Sequence, residues 1–86
     1  MKGTMKIKVT QSDIKKGKRK KLTLCPVALA IRRTVKTGRV SVNNLIVTVG
    51  ARERRLPLDA QTFVRNFDLG RHVEPFAFEL PIEPKP

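Results

Sequence analysis

Val40-Ser41-Val42-Asn43-Asn44-Leu45-Ile46-Val47-Thr48-Val49-Gly50 is the stretch on which the fold turns. Val40-Ser41-Val42 alternates apolar and polar side chains, as a half-buried strand does. Asn43-Asn44 tolerates positive φ and predicts a tight hairpin turn. Leu45 to Val49 is the most β-branched run of the chain and is expected to be the central strand. Gly50 reads as a bulge or a bend. Arg52-Glu53-Arg54-Arg55 then reads as a charged rim beyond the sheet.

Working toward the N-terminus, Lys15-Lys16-Gly17-Lys18-Arg19-Lys20-Lys21 feeds directly into the apolar run Leu22 to Ile31. Pro26 suits the first position of a helix, which puts Cys25 at the N-cap. Val27, Leu29, Ala30 and Ile31 supply its apolar side. Arg32, Arg33 and Lys36 fill the last turn, where cations suit the helix dipole, and Gly38 is the expected stop. Before the basic run, Met5, Ile7 and Val9 alternate with Lys6, Lys8 and Thr10, which predicts a half-buried strand with a cationic outer face. Thr10 and Asp13 form a capping-box pattern, and Gly17 closes a short helical turn. Repulsion among the like charges of residues 18–21 predicts a loop that is mobile without a partner.

Working toward the C-terminus, Pro57 opens a second long helix. Ala60, Phe63, Val64 and Phe67 make one apolar stripe, and Gly70 ends it. Pro75 introduces a last strand with Phe76, Phe78 and Leu80 inward and Ala77 and Glu79 outward. The prolines at 81, 84 and 86 forbid further regular structure, so residues 81–86 read as a frayed tail after a single α+β domain over 1–80.

With the short N-terminal turn set aside, the order is βαββαβ, the split-βαβ or ferredoxin-like arrangement. It predicts one four-stranded antiparallel sheet with both helices on one face. Met5, Ile7, Val9, Val40, Val42, Phe76 and Phe78 would face the helices. Lys6, Lys8, Ser41, Asn43, Thr48 and Glu79 would form the open face.

The chain has 86 residues, enough for one modest core. One Cys rules out an internal disulfide and fits a reducing cytosol. The basic N-terminus lacks the apolar region of a secretory signal, and no apolar run approaches a membrane span. The net charge is +12, and it is segregated. Residues 1–39 hold thirteen Lys and Arg against Asp13 alone, whereas residues 40–86 hold six cations and six acids. A concentrated positive field attracts polyanions and speeds their encounter.

Five stretches carry a resemblance. They are residues 6–10 (Lys-Ile-Lys-Val-Thr), 25–30 (Cys-Pro-Val-Ala-Leu-Ala), 55–57 (Arg-Leu-Pro), 66–68 (Asn-Phe-Asp) and 73–78 (Val-Glu-Pro-Phe-Ala-Phe). Together they resemble small bacteriophage and prophage proteins with no assigned activity. The resemblance spans most of residues 5–80. It implies a prokaryotic or viral setting, and so the cytoplasm of a bacterial host, and carries over no functional residues.

The candidate site is therefore read from charge. Lys6, Lys8, Lys15, Lys16, Lys18, Arg19, Lys20, Lys21, Arg32, Arg33 and Arg39 can neutralise phosphates and release counterions, which gives affinity without sequence selection. The bland alternative is a solvated basic loop. Phe76 and Phe78 belong by period to the core, so base stacking on a sheet is disfavoured against phosphate contact. Cys25 reads as a small buried hydrophobe rather than a reactive thiol, and His72 as an exposed side chain. One Cys and one His cannot make a Cys/His zinc site within one chain. No Gly-rich phosphate motif or paired carboxylates appear, so neither an enzyme nor a cofactor is expected. The expected function is DNA or RNA binding through backbone phosphates. The alternative is an inhibitor or modulator that docks on an acidic host-protein surface.

Overall fold

The β-branched run is central, but to a different sheet from the one expected. The computed structural model describes residues 5–35, 39–43 and 45–80. Its elements are β1 (Met5–Val9), α1 (Gln11–Lys16), α2 (Pro26–Val35), β2 (Val40–Val42), β3 (Ile46–Val49), β4 (Arg52–Arg55), α3 (Leu58–Asp68) and β5 (Phe76–Leu80). Strands β2, β3 and β4 form a three-stranded antiparallel meander, while β1 pairs only with β5.

This corrects the single four-stranded sheet with two helices. The fold is α+β with two separate sheets and three helices. The cause lies at Gly50. Gly50 has φ +61° and Ala51 does not, so the pair makes a two-residue hairpin turn with glycine first, and Val49 faces Arg52 across it. That turn twists in the sense the flanking strands require. Arg52 to Arg55 is thus a strand rather than a rim. It takes the edge of β3 that β1 would occupy in a split-βαβ sheet, and a strand has only two edges. β4 in turn is mostly exposed and wholly charged, a composition that discourages further edge pairing.

The first turn of the meander is held by Asn43. Its Oδ1 accepts the N–H groups of Leu45 (2.8 Å) and Ile46 (2.6 Å). Asn44 lies outside the described residues, as do Lys36, Gly38 and the 81–86 tail.

In the ribbon, Ile7 faces Phe78 and Lys6 faces Glu79. Ile7, Val9, Phe78 and Leu80 are buried, whereas Lys6, Lys8, Ala77 and Glu79 are exposed, so the period-two reading of both strands is correct. Ser41 and Thr48 pair with each other in the other sheet, so they share no face with Lys6 and Lys8.

Helix α2 joins the two sheets. It packs on β1, β2, α1 and α3, and Pro26, Val27, Ala28, Ala30 and Ile31 are all buried. Its first turn is capped by Cys25, whose Sγ accepts the Ala28 N–H at 3.4 Å. Helix α3 buries the expected stripe, Ala60, Phe63, Val64 and Phe67. Phe67, Phe63, Phe76 and Phe78 stack in series, with centroids 6.4, 4.8 and 5.5 Å apart. These are all the aromatic residues of the chain. Buried residues from β1, α2, β2, β3, α3 and β5 form one hydrophobic cluster.

Candidate nucleic-acid interface

The basic run begins in the last turn of α1, with Lys15 and Lys16, and continues from Gly17 as a loop with defined anchors. Thr10 and Asp13 make the expected capping box at α1. The Asp13 N–H donates to Thr10 Oγ1 (3.2 Å), and the Thr10 N–H donates to Asp13 Oδ2 (2.9 Å). α1 ends at Gly17, whose φ of −69° is ordinary. Glycine is needed there for space, because a Cβ would stand 2.6 Å from Pro26 Cδ. The chain therefore leaves α1 pressed against the start of α2.

Three backbone N–H groups within residues 18–24 are hydrogen-bonded. Lys18 N–H donates to the Leu24 carbonyl (2.9 Å), and Leu24 N–H to the Lys21 carbonyl (3.2 Å). The third comes from the left-handed residue Lys20 (φ 59°), whose N–H donates to Asp68 Oδ1 at 2.9 Å. Asp68 closes α3, where a carboxylate is disfavoured by the helix dipole. Its hydrogen bond to the loop is what that position provides.

Lys15, Lys16, Lys18, Arg19, Lys20 and Lys21 all lie at the surface. Among the described residues none of these six side chains makes an ion pair. Lys6 and Lys8 project from the outer face of the β1–β5 ribbon.

The arginines of α2 are committed inward. Arg33 donates through Nη1 to Asp13 Oδ1 (2.7 Å) and through Nη2 to Asp13 Oδ2 (3.0 Å) and the Lys8 carbonyl (2.9 Å). The Asp13 side chain is 5% exposed and that of Arg33 50%. Burial alone would push the Asp13 carboxyl up. The Arg33 hydrogen bonds, the Thr10 N–H and the Arg33 charge outweigh burial and hold the carboxyl below its ordinary value. Arg32 donates through Nη2 to the Thr23 carbonyl. Both arginines add to the positive field but direct donors into the fold. Arg39 stands at the far end of β2 from the loop: its carbonyl accepts the Gly50 N–H, whereas the Leu22 carbonyl accepts from Val42.

Sequence order hides one further group. α3 ends in a Schellman motif, with Gly70 N–H donating to Phe67 O (3.0 Å), Arg71 N–H to Asn66 O (2.9 Å) and Gly70 at φ +79°. This turn delivers Arg71 and His72 to the side of the loop that carries Arg19. Together with Gln11 of α1 they surround an open cleft of about 290 Å³ with Ile14, Phe67 and Val73 in its wall. Only Arg19 of this group was a candidate from sequence. The cue for the others is local: a helix-stopping glycine followed at once by two basic residues.

Cys25 is buried, and burial pushes its thiol up, so it suits capping and packing rather than nucleophilic attack. Among the described residues no group of His, Cys, Asp and Glu could hold a metal ion. Nor is any helix among them long and apolar enough to cross a membrane. No family model, curated protein or solved structure matches the chain.

Proposed function

We propose that the protein binds nucleic acid chiefly through backbone phosphates, with residues 15–21 at the centre of the contact. The observation that carries this reading is the end of α1 and the backbone-anchored loop after it, which together present six surface cations without an ion pair of their own among the described residues. A fixed backbone lowers the ordering cost of contact, and each phosphate neutralised releases counterions. Lys6 and Lys8 extend the surface, while Arg32 and Arg33 act through their field. Since every Phe belongs to the core stack, the aromatic platform used by sheet-based RNA binders is absent among the described residues, which favours phosphate over base contact. In the phage-like setting that the motifs imply, the polyanion is viral or host DNA or RNA.

The test is a fluorescence titration of duplexes and single strands at several salt concentrations. Changing the six loop cations to Gln should lower the log–log salt slope by about 0.7–0.9 for every phosphate they neutralise in the parent. Unrelated sequences should weaken alike, because phosphates carry no sequence information. Parent protein that binds nothing at low salt, or a six-Gln variant with an unchanged slope, removes the loop as a nucleic-acid site. A pulldown from host lysate that keeps an acidic protein partner after nuclease treatment moves the reading to that partner.

A further inference from the structure

We infer that the cleft between α1, the basic loop and the end of α3 receives one unstacked nucleotide together with its phosphate. This deepens the nucleic-acid reading and rests on it. The decisive geometry is that of Arg19 over Gly70. A Cβ at Gly70 would lie 3.4 Å from Arg19 Cζ and 3.5 Å from both Nη1 and Nη2. Near-equal distances to three atoms of a planar group put the open Cβ position of Gly70 over the face of the guanidinium and not at its edge. The absence of a side chain at Gly70 leaves that face clear, and Arg19 lines the cleft. A guanidinium plane with a clear face is a surface on which a base can stack.

The remaining walls match the rest of a nucleotide. Arg71 is exposed and makes no ion pair among the described residues, so its planar fork can take a phosphate. Gln11 offers both a donor and an acceptor for a base edge. Phe67 and Val73 supply apolar contact. The nearest acids are engaged: Asp68 accepts from Lys20, and Glu74 pairs with His72. A volume of about 290 Å³ suits one such unit rather than a longer ligand. In a duplex interior a base has no free face, so the cleft selects single strands, strand ends or free mononucleotides.

The experiment titrates the full chain with a short single strand, a blunt duplex of the same sequence, AMP and inorganic phosphate. Methyl NMR signals of Ile14 and Val73 report on the cleft. The single strand should bind more tightly than the duplex. AMP should shift the two methyls more than phosphate does at equal concentration. Arg71→Ala should weaken the single strand about tenfold while leaving the duplex within about twofold. Equal affinities that Arg71→Ala does not change, with AMP leaving the methyls unmoved, overturn the cleft and leave the phosphate reading of the loop standing. Saturable AMP shifts without any binding of oligonucleotide overturn the loop reading and establish the cleft as a mononucleotide site. No response to any of the four probes overturns both.

Discussion

Asp13 ties together three elements through one carboxylate: the end of β1 through Thr10, its own helix, and α2 through Arg33. Asp13→Asn keeps the shape, removes the charge and leaves Arg33 with a weaker partner. Because Arg33 is half in solvent, the loss is expected at about 1–3 kcal/mol rather than the larger cost of a fully buried pair. The folded carboxyl titrates below its ordinary value of 3.8, so the unfolded chain takes up its proton first. The stability from this charge is therefore full well above pH 3.8 and is lost as pH falls through 3.8 toward the folded value. Urea unfolding of parent and variant across acidic pH should show the gap between them narrowing over that window, and a gap independent of pH would refute it. Cys25 makes a second case. Cys25→Ser retains an acceptor for the Ala28 N–H, so the variant should fold within about 1 kcal/mol of the parent and bind nucleic acid equally well. A folded Cys25→Ser protein without binding would mean that the thiol does chemistry.

At the scale of elements, α3 depends on Phe63, which stacks between Phe67 and Phe76 and is 7% exposed. Phe63→Ala should cost about 3–5 kcal/mol, a large share of what a domain of this size possesses. Thermal unfolding checks it; a variant melting within a degree or two of the parent would mean that the stripe does not bear the core. Patterns confined to one element were legible in the sequence. The capping box at Thr10, the proline starts near 26 and 57, the stripe on α3 and the inward faces of β1 and β5 each follow from local spacing. β4 was not legible, because Arg52-Glu53-Arg54-Arg55 has neither β propensity nor alternation. It is a strand because Gly50-Ala51 turns the chain back on a strong β3, so tertiary context overrides composition.

For the whole molecule, that one turn decides the architecture: with Arg52 to Arg55 as a strand and not a rim, the sheet count changes from one to two. The site followed the same rule. The basic run could be read directly, whereas the cleft could not, since Arg19 and Arg71 meet only once α1, α2 and α3 have packed. The charge asymmetry also acts on stability as a whole. Neutralising the six loop cations halves the net charge of +12 and touches no core residue. The six-Gln variant should therefore melt at or slightly above the parent at low salt, with the difference shrinking as salt screens the loop. A lower melting temperature would show that these side chains hold the fold. A last consequence belongs to the phenylalanine stack. With no Trp or Tyr in the chain, the protein is spectroscopically dark at the longer near-ultraviolet wavelengths where fluorescent base analogues are excited. The fluorescence of a strand carrying such an analogue can thus be followed without correction for the protein. In protein free of nucleic acid, whose bases absorb in the same band, the weak near-ultraviolet dichroism of Phe reports on one place, the seam between α3 and β5.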